Sequence, residues 1–356
     1  MTILFQQDKF YESVTNSIFA IRRLYILDYS LNNEVKIIVT DYLEPDLEWE
    51  KEQLKKYPCR FFYYQLKDAD EDTLISKIKD ADILVVNMVK MTERVINTLE
   101  RCKLIIRHGT GYDNLDIAAC TRKGIIASYI PDYCIDEVAE HAIGLMMALA
   151  KKLMILDRSM HKIEWDYSCS IPVFTLKGKN LGIVGCGRIG SSVVRIMRGL
   201  QMNYLVYDPY LAAEKAKEYN IKLVDFESLL TESDIITIHA PLTDETTFMF
   251  DIPQFKKMKE TAFIINTARG PIIKEKALVK ALHSGWIAGA GIDVYQKEPP
   301  IIESTLVTFE NVILTPHAAW YSVESAWTIR EKILEDIIRF FNGQKPRFPI
   351  NKEVSY

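Results

Sequence analysis

The chain has 356 residues, 48% of them apolar and 26% charged, and a formal net charge of -4. That length exceeds one ordinary hydrophobic core and suits two domains of a globular protein. The charge balance excludes a basic field for nucleic acid, and no basic amphipathic face marks a membrane surface.

Residues 1–35 form an unusual opening, "MTILFQQDKFYESVTNSIFAIRRLYILDYSLNNEV". Charges interrupt its apolar residues and no small-residue cleavage site follows, so it does not read as a signal peptide. The stretch "YESVTNSIFAIRRLYIL" has poorly capped amphipathic helical spacing. Regular alternation begins at "KIIVTDY" (36–42) and continues through "CRFFYYQL", "EDTLISKIKD", "DILVVNM", "RVINTLER", "KLIIRHGTGYDN", "DIAACTRK" and "GIIASYI". Strands separated by short helices indicate an α/β fold with a parallel, doubly wound sheet. At Pro131 the rhythm changes, and "IDEVAEHAIGLMMALAKKLMILDRSMH" reads as one long helix joining two domains. Its apolar run "AIGLMMALA" is far too short to span a bilayer. A second βα series starts at "NLGIVGCGRIG" and runs to "NVILTP". A helix with apolar residues at helical spacing, 322–341, closes the chain and is expected to return to the first domain. "LISKIKDADILVV" and "SLLTESDIITIH" echo each other, each running from helix through an acidic break into a strand. The six cysteines include no C-x-x-C pair and read as reduced thiols of a cytoplasmic protein.

Gly185-Cys186-Gly187-Arg188-Ile189-Gly190 sits between the strand "LGIV" and the helix "SSVVRIMRGL". The context on both sides is what a dinucleotide fingerprint requires. Gly185 makes the tight turn, Gly187 admits a pyrophosphate, and Gly190 packs helix on strand. The helix N-terminus offers N–H groups to the phosphates, and Arg188 adds charge. Asp208 ends the next strand, where a carboxylate meets the ribose hydroxyls and favours NAD over NADP. The competing reading is a structural glycine turn, with Asp208 merely starting "DPY".

Three further groups close strand segments of the same series. Arg269 ends "FIINTARG", Glu298 follows "GAGIDVY", and His317 ends "NVILTP". Ligands bind outside the carboxyl ends of strands in an open parallel sheet. Singly, a surface arginine, a turn carboxylate and a hydrogen-bonded structural histidine are the ordinary explanations. Together, a cation, an acid and an imidazole beside a nicotinamide suit hydride transfer to a 2-oxo acid. Arg holds the carboxylate and polarises the carbonyl; His donates a proton to the developing alkoxide. The carboxylate favours the imidazolium and holds the ring, which pushes the alcohol-oxidising optimum to higher pH. No histidines share H-x-x-x-H spacing or sit with cysteines, so no metal site is expected.

"GIVGCGRIG", "YDPY", "NTARG", "GIDVYQKEP" and "TPHAAW", in this order, resemble the D-isomer-specific 2-hydroxyacid dehydrogenases over residues 36–345. "IIRHGTGYDNLDI" and "PHAAWYS" are most similar to the C-terminal-binding-protein branch, and the chain is also phosphoglycerate-dehydrogenase-like. The resemblance implies a Rossmann NAD-binding domain, 135–320, inserted into a flavodoxin-like substrate domain, 1–134 and 321–356, with 1–35 an extension. It implies a catalytic set of Arg269, Glu298 and His317. Substrate contacts fall on the backbone of Met88 and Val89, with Lys90 nearby, and on Arg107 and Trp320. Cofactor contacts carry over to Ile189, His239, Thr267, Asp293 (toward the nicotinamide amide) and Val138. The family pattern also implies a homodimer built mostly through the cofactor domains. The chain ends soon after the last helix, so no appended regulatory domain is expected. The expected activity is NAD-dependent reduction of a 2-oxo acid to a D-2-hydroxy acid. The alternative is an NAD(H)-sensing, corepressor-like scaffold with little turnover. Trp320, Tyr321, Met88 and Tyr112 suggest apolar pocket walls.

Overall fold

A computed structural model describes residues 34–300 and 305–356, so the helical reading of residues 11–27 lies outside the described residues. The described chain forms two compact units, one ending at Tyr133 and resuming at Val323–Tyr356, the other Cys134–Ser322.

The first unit carries β1 (Val35–Val39), β2 (Cys59–Tyr63), β3 (Ile83–Val86), β4 (Leu104–Arg107) and β5 (Ile126–Tyr129). They form one parallel sheet in the order β2-β1-β3-β4-β5, the flavodoxin-like arrangement whose switch point lies between β1 and β3. β3 and β4 are nearly continuous apolar runs because both sheet faces are covered. Period-2 alternation sorts their side chains. Leu84, Val86, Ile105 and Ala127 join one core. Ile83, Val85, Leu104, Ile106 and Ile126 join the other. The helix Val323–Phe341 packs Ile329, Ile333, Ile337 and Phe340 into that second core, as its helical spacing predicts.

The second unit carries β6 (Asn180–Val184), β7 (Asn203–Tyr207), β8 (Lys222–Leu223), β9 (Ile235–Ile238), β10 (Phe263–Asn266), β11 (Gly289–Ile292) and β12 (Val312–Leu314). Their order is β12-β11-β10-β9-β6-β7-β8, all parallel, with the reversal between β6 and β9. This is the Rossmann order extended by a strand. The expected single helix over 135–161 is two helices, Ile135–Ala150 and Leu153–His161. Lys152 between them is left-handed, with φ of 51°. The apolar pattern continues across the break, which is why the sequence reads as unbroken. Ala139, Ala142, Leu145, Met146 and Leu149 of the first helix bury against Leu181, Ile183, Ile235 and Ile265.

Residues after the last helix pair with the outer edge of β5. Ser128 bridges Pro349 in antiparallel fashion, and Ile350 N donates to Ala127 O at 2.8 Å. Buried Asn351 completes this edge: its Oδ1 accepts from Ala127 N, and its Nδ2 donates to Ile125 O, both at 2.9 Å. An unpaired buried group costs about 1–3 kcal/mol, so Asn351→Ala is expected to destabilise the protein by that order. Urea denaturation checks this; an unchanged midpoint would show that the tail does not depend on Asn351.

Candidate active site

The glycine turn follows β6 and opens the helix Arg188–Met197. Gly185 has φ of 84°, and a Cβ there would stand 2.8 Å from Ala240 N. At Gly190 a Cβ would stand 2.3 Å from Gly185 O, whereas at Gly187 it would meet nothing within 4 Å. The chain therefore closes around two glycines and leaves the middle one facing open space, which is the shape a pyrophosphate needs. Arg188 and Ile189 begin the helix, Arg188 exposed and Ile189 half-buried. Asp208 does more than end β7. Its Oδ2 accepts from Cys186 N at 2.8 Å and its Oδ1 from Tyr210 N at 2.9 Å. It shapes the glycine turn, and each oxygen keeps a further lone pair for a ribose hydroxyl.

His239 follows β9 and Thr267 follows β10. Thr267 Oγ1 and His239 Nδ1 are buried without a hydrogen-bond partner. His239 is half-buried as a residue with its Nδ1 sealed, and burial pushes its pKa down to about 4. Nε2 sits 3.0 Å from Thr237 Oγ1. Two unsatisfied polar atoms at successive strand ends, on the side of the glycine turn, fit a polar cofactor laid along that edge. Val138 is buried in the helix Ile135–Ala150.

The next strand ends bring His317, Glu298 and Arg269 together. His317 Nδ1 is 2.7 Å from Glu298 Oε2, and Glu298 Oε1 accepts from Tyr295 N at 3.0 Å. Burial pushes the Glu298 carboxyl up. The hydrogen bond and charge of His317 act the other way, with Tyr295 N and Arg269 assisting, and leave it below the usual glutamate range. Arg269 follows β10, with Nη1 donating to Ala268 O at 2.8 Å. Nδ1 is the ring nitrogen that Glu298 engages, which leaves Nε2 outside that pair.

His317 has φ of 52°, a left-handed conformation that costs a non-glycine residue about 1–3 kcal/mol. Asp293 holds it there. The resemblance sends Asp293 to the nicotinamide amide, but its side chain has no exposed surface. Its Oδ1 accepts from Thr315 Oγ1 at 2.6 Å and Ala318 N at 2.9 Å, and its Oδ2 from Ala319 N at 3.0 Å. His317 N donates to Asp293 O at 2.8 Å, and Tyr295 Oη donates to Thr315 O at 2.9 Å. Asp293 thus shapes the His317 turn. Trp320, in the same turn, is half-buried and edge-on to Tyr321.

Met88, Val89 and Arg107 lie in the first unit, after β3 and at the end of β4. The resemblance places a substrate carboxylate on the Met88 amide, and here that amide has a partner within the protein. Met88 N donates to Asp41 Oδ2 at 2.6 Å, and Asn87 N to Asp41 Oδ1 at 3.2 Å. Asp41 is itself buried, so the amide is committed within the protein. Asn114 holds the same loop from its other side, donating to Asn87 O at 3.0 Å and Val89 O at 2.9 Å. Asp41 and Asn114 escaped the sequence reading, although "VTD" ending a strand at a switch point is a usable signal. Arg107 Nη1 donates to His108 O. His108 Nε2 pairs with Glu44 Oε1 at 3.2 Å. Burial raises the Glu44 carboxyl, but the hydrogen bond and charge of His108 outweigh that and hold it down at about 2. Among the described residues, no cluster of three or more His, Cys, Asp or Glu could hold a metal ion.

Residues 143–319 match the family model described as D-isomer specific 2-hydroxyacid dehydrogenase, NAD binding domain. The glyoxylate reductase of Thermofilum pendens is 34% identical over 327 residues, 90% of this chain and 95% of that protein. The glyoxylate reductase of Korarchaeum cryptofilum is 36% identical over 285 residues, 79% of this chain and 86% of that protein. This chain belongs to the D-isomer-specific 2-hydroxyacid dehydrogenase family. It is an NAD-dependent oxidoreductase acting on CH–OH groups, and NAD is its cofactor. The D-3-phosphoglycerate dehydrogenase of Archaeoglobus fulgidus is 38% identical over 281 residues, but the match spans only 53% of that protein. Among solved structures, D-lactate dehydrogenase from Aquifex aeolicus, complexed with NAD and lactic acid, superimposes with a TM-score of 0.79. It is 30% identical and covers 86% of this chain and 96% of its own.

In this dehydrogenase, Gly185→Ala tests the cofactor turn directly. The added methyl meets the Ala240 backbone and sits on a strained φ. NADH affinity is expected to fall at least tenfold, a loss of about 1.4 kcal/mol, read by NADH fluorescence titration. Unchanged affinity would remove the turn from the cofactor site.

Proposed function

We propose that this dehydrogenase reduces an unphosphorylated 2-oxo acid to the D-2-hydroxy acid. The observation that carries the reading is the Glu298–His317 pair, with Arg269 close by, on the sheet edge that also bears the glycine turn. The residues that build that edge fit a dinucleotide, which supplies the hydride when bound. Arg269 holds the substrate carboxylate and polarises the adjacent carbonyl. The Nε2 of His317 gives its proton to the carbonyl oxygen as negative charge develops there. Glu298 accepts the hydrogen bond from Nδ1, which keeps that proton on the ring and orients the imidazole. Its lowered pKa keeps the carboxylate ionised into mildly acid solution, so the pair is lost only as pH falls through a value below the usual glutamate range.

In the first unit, the carboxylates Asp41 and Glu44 follow β1 directly and oppose a dianionic phosphate there. Val89, Arg107 and Trp320 are the residues we assign to substrate contact. The motif likeness to the C-terminal-binding-protein branch suggests a scaffold role as the alternative; the relatives named above are glyoxylate reductases and a phosphoglycerate dehydrogenase. NADH oxidation against glyoxylate, pyruvate, longer aliphatic 2-oxo acids and phosphohydroxypyruvate separates these readings. His317→Ala is expected to lower turnover roughly 10²–10⁴-fold with little change in NADH affinity. Turnover on none of the acids, or full activity in the alanine variant, would overturn the proposal.

The homodimer belongs to the same reading. In the second unit Ile163 is 91% exposed, Trp165 90% and Tyr167 76%, followed by exposed Ile171 and Phe174. Apolar side chains this contiguous mark a covered surface. Trp165→Asp is expected to convert a dimer to a monomer in sedimentation analysis. A wild-type protein that sediments as a monomer at micromolar concentration would exclude this interface. All six cysteines are free thiols, in keeping with the reducing cytoplasm we assign to the protein. Among the described residues, no helix is long and apolar enough to cross a membrane.

A further inference from the structure

His141 lies on the helix Ile135–Ala150 and is not among the cofactor and substrate contacts argued above. Its Nε2 is 3.0 Å from Thr315 Oγ1 and 3.7 Å from Asp293 Oδ1. The donor direction follows from counting protons. Thr315 has one hydroxyl proton, and it goes to Asp293 Oδ1 at 2.6 Å. Thr315 Oγ1 is therefore an acceptor toward the imidazole, and Nε2 of His141 must carry a hydrogen. A bare Nε2 would set its lone pair against that of Thr315, beside a fully buried carboxylate.

One turn earlier on the same helix, Glu137 Oε1 accepts from Ser322 Oγ at 2.8 Å. The helix thus grips the segment 315–322 at both ends, and His317 lies between the two grips. We propose that His141, with Glu137 as its counterpart, is a positioning residue for His317. The donated hydrogen orients the Thr315 hydroxyl toward Asp293. Asp293 then binds the Ala318 and Ala319 amides and holds His317 in its left-handed conformation. The charged group against His141 is Asp293 at the end of β11, and the segment after β12 contributes the neutral hydroxyl of Thr315; Glu137 lies one turn earlier on the same helix. The proposal rests on the acid–base role of His317.

The test uses the full-length protein and two variants. His141→Leu keeps bulk and loses the donor, whereas His141→Gln keeps an N–H at similar reach. In the leucine variant, hydrogen exchange of the Ala318 and Ala319 amides is expected to quicken, with NADH affinity retained. Its kcat with the best 2-oxo acid of the panel should fall roughly 10–100-fold, the scale of a small misplacement of a catalytic group. The glutamine variant should restore both amide protection and most of kcat. Unchanged exchange and kcat in the leucine variant would overturn the proposal. So would a glutamine variant as impaired as leucine, since ring volume rather than the donated bond would then matter. If the wild-type protein turns over no 2-oxo acid, the proposed function fails, while the exchange measurement still decides whether His141 orders the turn.

Discussion

The buried carboxylate of Asp293 is the interaction on which the turn carrying His317 depends. It is fully buried, at the end of β11, and is saturated by donors from a single turn. Burying a charge this way is costly unless hydrogen bonds satisfy it, and two backbone amides and a hydroxyl do so here. That arrangement forces residues 315–319 to fold back over the strand end. His317 takes up the resulting positive φ and points its ring toward Glu298. The strain at His317 persists because the surroundings over-determine it: Asp293, Tyr295 and the helix Ile135–Ala150 all hold the same segment.

The same device recurs at two other strand ends. Asp208, after β7, takes the Cys186 amide and so shapes the glycine turn. Asp41, after β1, takes the Asn87 and Met88 amides and so shapes the loop after β3. In each case a carboxylate on one strand end organises the backbone emerging from a neighbouring strand, or from a neighbour's turn. An aspartate suits the task because its short side chain accepts two or more N–H groups while losing little rotamer freedom.

Much of the architecture was legible in the sequence because periodicity reports burial. The apolar strand runs, the helical spacing of 323–341 and the glycine turn all follow from which faces must be covered. The adjacency of Glu298 and His317 was legible too, since both close strands of one parallel sheet. Hydrogen-bond assignment was less accessible. Nothing in "DVY" says that Asp293 accepts from a loop some 25 residues on, and nothing in "VNMV" says that the Met88 amide donates to Asp41. The break at Lys152 was invisible for a related reason: a left-handed residue leaves no trace in a sequence whose apolar letters simply continue past it.

The faint echo between "LISKIKDADILVV" and "SLLTESDIITIH" has a physical basis in the sheets. Asp82 precedes β3 and accepts from Lys36 N, at the start of β1, at 2.8 Å, while its own N–H donates to Lys36 O at 2.8 Å. Asp234 precedes β9 and makes the same exchange with Asn180, at the start of β6, at 2.9 Å in both directions. Both aspartates fasten the two strands that flank the switch point of their sheet, where strand order reverses and the connection is not a simple neighbouring crossover. Arg101 balances the first and Lys259 the second. The repeated letters therefore mark a repeated constraint. Each sheet needs its reversal pinned at the amino ends of the strands, leaving the carboxyl ends to carry Asp41 in one unit and Asp208 and Asp293 in the other.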